Sequence, residues 1–281
     1  MATLAQPETQ ASSSTPENRD NDHTGSSHTT PIQHKSSVIA RTDKDAIPIA
    51  SAALAPCFAD DPVMNWSLRR PDGTSLNNDP TFQQRFFNIC MAFSYGGHAS
   101  FVTVDGEWKC VGVMLPPGQK VGGLRGYLAS WRDVLWCLWK AGWRISYYLL
   151  FVHDARYISQ FHDAAFPRRR DVMEKGDYYY IYFLGTDVKA RGQGLGSEFL
   201  KYAQEVATKA GKPIYLESSK ERNKALYLRH GFEVVKEVVM GEGEVGRDGK
   251  VVVDGEQPKD GVTWWAMTWW PKGLGPDGSS G

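Results

Sequence analysis

Apolar residues recur at Leu195, Phe199, Leu200, Ala203, Val206, Ala207 and Ala210, the spacing of a half-buried helix. Ser197, Glu198, Lys201, Gln204, Glu205 and Lys209 take its wet side, and Gly211 with Pro213 marks its end. The period then shortens. Residues 213–219 read as a strand, Asn223 as the N-cap of a short helix through Ala225, Leu226, Tyr227 and His230, and residues 232–235 as strand again. Gly231 closes that short helix. Upstream, residues 38–42 predict a first strand and residues 47–58 a helix. A second helix spans 80–93, with Phe82, Phe86, Ile89 and Phe93 on one side. Residues 100–104 and 109–114 predict a hairpin around Asp105-Gly106. Residues 263–270 predict a terminal strand with Trp264, Ala266, Thr268 and Trp270 on one face.

Residues 124–165 form a long helical insertion carrying Trp131, Trp136, Trp139 and Trp143, then Tyr147, Tyr148 and Phe151. Arg132, Asp133, Lys140 and Arg144 interrupt it, which disfavours a membrane span of about 20 apolar residues. It is either a helical hairpin of the core or a lid whose aromatic faces wall a pocket. Residues 1–35 are rich in Ser, Thr, Gln, Asn and His and read as a disordered N-terminal tail, without the apolar core of a signal peptide. Residues 36–270 then form the folded domain, and residues 271–281 a flexible C-terminal tail.

Composition narrows the partners. In 281 residues, 32 Lys+Arg balance 32 Asp+Glu, so no charge excess argues for nucleic acid or an anionic membrane. Cys57, Cys90, Cys110 and Cys137 lie far apart with no CxxC spacing. They suit neither a zinc site nor a disulfide scaffold; reduced core thiols in a cytoplasmic protein with no metal are expected. Arg168, Arg169 and Arg170 form a short basic cluster, read as a solvated loop or an anion contact.

The chemistry gathers where a strand-like run ends. Leu184-Gly185-Thr186 leads into Arg191-Gly192-Gln193-Gly194-Leu195-Gly196, a glycine-rich turn that opens the helix from Leu195. Glycines let successive backbone N–H groups turn toward one point, and a helix N-terminus adds free donors and a positive dipole end. The natural guest is a phosphate or pyrophosphate. Neither the dinucleotide fingerprint GxGxxG with its distant acidic residue nor the phosphate loop GxxxxGK[ST] fits this spacing.

The pattern RxxGxG instead resembles the pyrophosphate turn of the GCN5-related N-acetyltransferases (GNAT). Leu216, Glu217, Ser218, Ser219, then Arg222, Asn223, Tyr227, Gly231 and Phe232, also resemble the equivalent stretch of that family's puromycin-modifying branch. The resemblance spans roughly residues 178–235 and implies an α/β (α+β) GNAT fold. That fold has a mixed central sheet whose strands splay at an acetyl-CoA slot, with flanking helices. The hairpin would supply early antiparallel strands.

The resemblance also implies a reaction and roles. An acyltransferase of this kind moves the acetyl group of acetyl-CoA, its co-substrate, to a primary amine of a small molecule, with detoxification or resistance as the implied role. A protein or peptide acceptor, or a non-catalytic acyl-CoA-binding regulator, are the alternatives. Attack by a neutral amine needs a fixed thioester, donors for the developing oxyanion and proton management at both ends. In family terms, Leu184, Gly185 and Thr186 pair with the pantetheine arm. Arg191, Gly192, Gln193, Gly194, Leu195 and Gly196 hold the pyrophosphate, and Asn223 contacts the arm. Tyr227 occupies the position of the acid that protonates the departing thiolate; otherwise it is a packed tyrosine. Glu217, at a strand end, is the general base or amine-orienting carboxylate, or else a strand-end ion pair. The expected assembly is a monomer or homodimer.

Overall fold

The computed structural model describes residues 38–70, 72–141, 177–252 and 258–274. The N-terminal tail, residues 275–281, the part of the insertion from residue 142 (with Trp143, Tyr147, Tyr148 and Phe151) and the Arg168–Arg170 cluster lie outside these residues.

Among the described residues the chain forms strand β1 (Ile39–Arg41), helices α1 (Ala46–Leu54), α2 (Pro62–Ser67) and α3 (Pro80–Gly96), and strands β2 (Ser100–Thr103) and β3 (Cys110–Leu115). Helix α4 (Leu124–Ala141), strand β4 (Tyr179–Thr186), helix α5 (Leu195–Ala210) and strand β5 (Ile214–Ser218) follow. Helix α6 (Glu221–Arg229), strand β6 (Glu233–Met240) and strand β7 (Val262–Trp269) complete the order. The strands make one seven-stranded sheet, β1-β2-β3-β4-β5-β7-β6. Its neighbours are antiparallel except β4 and β5, which run parallel. This is the mixed sheet that the resemblance implies.

Two buried layers sandwich the sheet. On one face α1, α2 and α3 pack over Phe101, Val113, Tyr180, Phe183, Tyr215 and Trp264. On the other, Phe199, Leu200, Ala203 and Ala207 of α5 pack with Ile181, Ile214 and Leu216. A side chain at Gly112 would place its Cβ 1.9 Å from the Phe199 ring. The bare backbone there lets α5 lie against β3, which fixes the height of the turn that precedes it. All four cysteines are buried and free.

Two irregularities create the site. Strand β4 pairs with β5 only through Tyr179, Tyr180 and Ile181, although β4 runs on to Thr186. Beyond Ile181 the two strands part. The β3–β4 register also slips between Val113 and Met114, leaving Tyr182 as an extra residue. Tyr182 and Phe183 consequently pack on the same layer, as a bulge requires. The N–H of Asp187 bonds the Lys109 carbonyl at 2.7 Å. Strand alternation therefore turns the main-chain groups of Leu184 and Thr186 away from β3, toward the gap left by β5.

Several element boundaries differ from the sequence expectation. Helix α2, absent from it, is capped by Asp61, whose carboxylate accepts from the N–H groups of Val63 and Met64, with Pro62 at the first helical position. Helix α6 begins at Glu221 after Lys220, so Asn223 is not its N-cap. The Asn223 N–H bonds the Lys220 carbonyl inside the first turn. The local chain reverses directly after β5, before Asn223 can act as a cap. Strand β6 runs to Met240, longer than expected.

Candidate active site

A cleft of about 460 Å³ opens at the parting of β4 and β5. It is lined from one sheet face by Ala190, Arg191, Gly192, Gly194, Leu195, Gly196, Ser197, Leu226 and Tyr227, and from the other by Cys57, Phe58 and Asp61. Leu184, Gly185 and Thr186 form its edge, and Lys220, Arg222, Asn223 and Arg229 close the far side. The cleft thus passes through the sheet rather than resting on it.

The turn is built by backbone conformation. Gly192 and Gly194 hold φ of 82° and 83°, the left-handed region, and Gly194 occupies the N-cap of α5 with no side-chain cap bond. A Cβ at either would meet nothing within 4 Å, so the dihedral, not crowding, demands glycine there. The uncapped first turn of α5 leaves its N–H donors facing the cleft mouth. Around them stand Arg191, Lys220, Arg222 and Arg229. Lys220 pairs with Asp60 at 2.6 Å, while the Arg191 Nε donates to the Thr186 carbonyl at 3.3 Å. A concave run of N–H groups within a cationic rim suits a diphosphate.

Gly185 marks the narrowest point. A Cβ there would lie 2.8 Å from Leu54 Cδ2 and 2.9 Å from Cys57 Cβ. The end of α1 therefore presses directly on the bare backbone of β4. Burial pushes the Cys57 thiol up to about 11, which makes it a packed wall rather than a nucleophile.

Tyr227 is 5% exposed and lines the cleft, with its ring tilted against that of Phe232 at a centroid distance of 5.8 Å. Burial, with smaller contributions from Cys110 and Asp61, raises its phenol well above the ordinary value, so it keeps its proton throughout the physiological range.

Asp61, like Lys220 and Arg229, lines the cleft and was missed by the sequence reading. It is 2% exposed. Burial raises its carboxyl pKa, against the lowering effects of the Ser219 hydroxyl, Lys220, and the Met64 and Val63 N–H groups. Ser219 donates its hydroxyl to Asp61 Oδ2. The local sequence Asp61-Pro62 was a legible helix-start signal, but nothing in it announced a cleft carboxylate.

The remaining expected residues divide. Leu184, Gly185, Thr186, Arg191, Gly192, Gly194, Leu195, Gly196, Asn223 and Tyr227 meet in the cleft. The Gln193 side chain turns back to the Lys189 carbonyl at 3.4 Å and stands outside the lining. Glu217 also stands outside it, accepting a 2.7 Å hydrogen bond from the Tyr180 hydroxyl beside the Tyr178, Tyr180 and Tyr215 rings. Glu217 and Ser219 are two residues apart on β5 and its extension, hence on one face. None of the α4 aromatics lines the cleft; Trp136 packs on Phe82 and under Arg85. Helix α4 docks through Gly126, Ser130 and Cys137, leaving Leu128, Trp131, Leu135 and Trp139 exposed. No helix among the described residues is long and apolar enough to cross a membrane.

Residues 164–234 match the family model for the acetyltransferase (GNAT) domain. An uncharacterized N-acetyltransferase of Schizosaccharomyces pombe is 23% identical over 187 residues, covering 65% of this chain and 69% of its own. Among solved structures, histone acetyltransferase HPA2 and related acetyltransferase from Corynebacterium glutamicum superposes with a TM-score of 0.50 at 20% identity, covering 84% of this chain and 97% of that one. The C-terminal condensation domain of Ebony, solved with beta-alanyl-dopamine, gives a TM-score of 0.50 at 11% identity over 84% of this chain and 99% of that one. Residues 164–234 are thus similar to the GNAT acetyltransferase domain, and the chain shares the fold of a solved acetyltransferase.

Proposed function

We propose that this protein transfers the acetyl group of acetyl-CoA to a primary amine of a small molecule, and that the cleft through the sheet is where it does so. The observation that carries the reading is the continuity of that cleft. Phosphate-binding geometry lies at one end, and a buried phenol and a buried carboxylate lie toward the other.

The residues present fit acetyl-CoA. The N–H groups of the 192–196 turn, Gln193 among them through its backbone, hold the diphosphate, with Arg191, Lys220 and Arg222 adding charge. The out-turned main-chain groups of Leu184 and Thr186 align the pantetheine arm, and Asn223 faces the same arm. Bound acetyl-CoA supplies an activated acyl thioester. Tyr227 donates a hydrogen bond and then its proton to the departing sulfur, and is reprotonated by the proton that the attacking nitrogen loses as the amide forms, relayed through water, while Asp61 passes its proton to solvent. Asp61 takes the proton of the incoming ammonium, directly or through water. Its raised pKa narrows the gap to the amine and makes it a better base than an exposed aspartate.

Glu217 takes the orienting role. It lies on the Asp61 side of the sheet, tied to Tyr180 and flanked by phenol rings that favour a cationic or aromatic amine. A cytoplasmic location and a role in detoxification fit this reading if the preferred acceptor is a toxic amine. The test is CoA release from acetyl-CoA across primary amines, aromatic ones included, with basic peptides alongside. Turnover with small amines and none with peptides supports the proposal; release with peptides alone overturns the acceptor class.

A further inference from the structure

The glycine-rich turn is indifferent to the length of the acyl group, so any preference must be built at the other end of the cleft. Phe58 stands there. It follows α1 in a short 3-10 turn, Ala55–Phe58, and lines the cleft between Cys57 and Asp61. Its ring is one of three that touch one another. The Phe58 centroid lies 5.4 Å from that of Phe87 and 5.3 Å from that of Phe183, and those two are 5.2 Å apart. Phe87 is fully buried and neither it nor Phe183 reaches the cleft, so Phe58 is the face that this aromatic plug shows to a ligand.

The plug has little freedom to move. The Phe58 carbonyl accepts from the Asp61 N–H and from Asn77 Nδ2, both at 3.1 Å. Asn77 is itself buried and held by Asn65 and Gln83. These bonds pin the Phe58 backbone, and the ring itself is wedged against Phe87 and Phe183. Sideways room is absent as well, because α1 already presses on the Gly185 backbone. The Asp61 carboxylate also lines this end, a poor surface for methylenes.

We infer that Phe58 sets the acyl-length limit of the donor, confining it to acetyl-CoA and its next homologue. A ligand anchored by its diphosphate at the 192–196 turn and laid along Leu184–Thr186 brings its acyl end against Phe58. The first carbons fit; a longer chain must displace the ring, bend over Asp61, or leave the cleft. This inference rests on the proposed use of acetyl-CoA, and binding measurements separate the two.

The experiment titrates the full-length protein with CoA, acetyl-CoA, butyryl-CoA and hexanoyl-CoA by calorimetry, with no acceptor needed. Wild-type protein is expected to bind CoA and acetyl-CoA comparably and hexanoyl-CoA about tenfold or more weakly. Phe58→Ala, or Phe58→Val should the larger cavity prevent folding, is expected to recover most of that loss while leaving CoA affinity unchanged. Equal wild-type affinity across the series overturns the inference, as does a preserved penalty in a folded Phe58 variant. Failure to bind CoA itself overturns instead the reading of the cleft on which the inference rests.

Discussion

Ser219 donates its hydroxyl to the carboxylate of Asp61, a residue 158 positions earlier in the chain. That bond joins the end of β5 to the start of α2 across the mouth of the splayed strands. It lowers the pKa of a carboxyl group that burial raises.

If Asp61 is the base, activity falls as pH drops through its raised pKa. Removing the Ser219 donor raises that pKa further, so Ser219→Ala is expected to move the acid limb of kcat/KM to higher pH. Asp61→Asn is expected to lose about 10²-fold or more in kcat at every pH. A pH–rate profile for the three proteins checks both. An acid limb unmoved by Ser219→Ala would detach the pair from the proton transfer.

The same carboxylate has a stability signature of definite sign. Its folded pKa lies above the unfolded value of about 3.9, so the folded protein binds this proton more tightly. Stability is consequently lost as pH rises from the unfolded pKa through the folded one. The difference in Tm between Asp61→Asn and wild type is therefore expected to grow in favour of the variant as pH rises from 3.5 to 7. Thermal melts of both proteins over about that range measure it.

Tyr227→Phe removes one oxygen from a ring that keeps its contact with Phe232. The expected result is a kcat about 10²-fold lower with the stability and the affinity for CoA retained. Calorimetry and kinetics on one preparation separate this from a packing role, in which melting would shift and kcat would hold.

Glycine does two different jobs in this fold, and substitution separates them. Gly112→Ala meets the Phe199 ring in the core and is expected to cost about 1–3 kcal/mol, read as a lowered denaturation midpoint. Gly194→Ala meets no neighbour but must keep φ near 83°, a conformation costing about 1–2 kcal/mol for an L-residue. Its larger effect is expected on CoA affinity, because relaxing that dihedral redirects the N–H groups of the turn.

What the sequence revealed follows the range of the interactions. The α5 boundaries, the β2–β3 hairpin and the turn between Arg191 and Gly196 are set by neighbours within a few residues, so periodicity and glycine spacing expose them. The GNAT resemblance of residues 216–232 brought Tyr227 and Asn223 to attention for the same reason. The Asn223 cap failed because the chain after β5 enters α6 at Glu221, a choice made by where β5 ends. Asp61 and Phe58 were invisible because their meaning depends on the parting of β4 from β5, far away in sequence. The bulge at Tyr182 that re-aims Leu184 and Thr186 is likewise a property of the β3 pairing, with no local motif to betray it.

The most direct test is a crystal structure of the protein with acetyl-CoA. The expected result places the diphosphate on the 192–196 turn, the thioester sulfur within hydrogen-bonding reach of the Tyr227 hydroxyl, and the acetyl methyl facing Phe58 and Asp61. Acetyl-CoA bound elsewhere, or lying on one face without passing between β4 and β5, would contradict it.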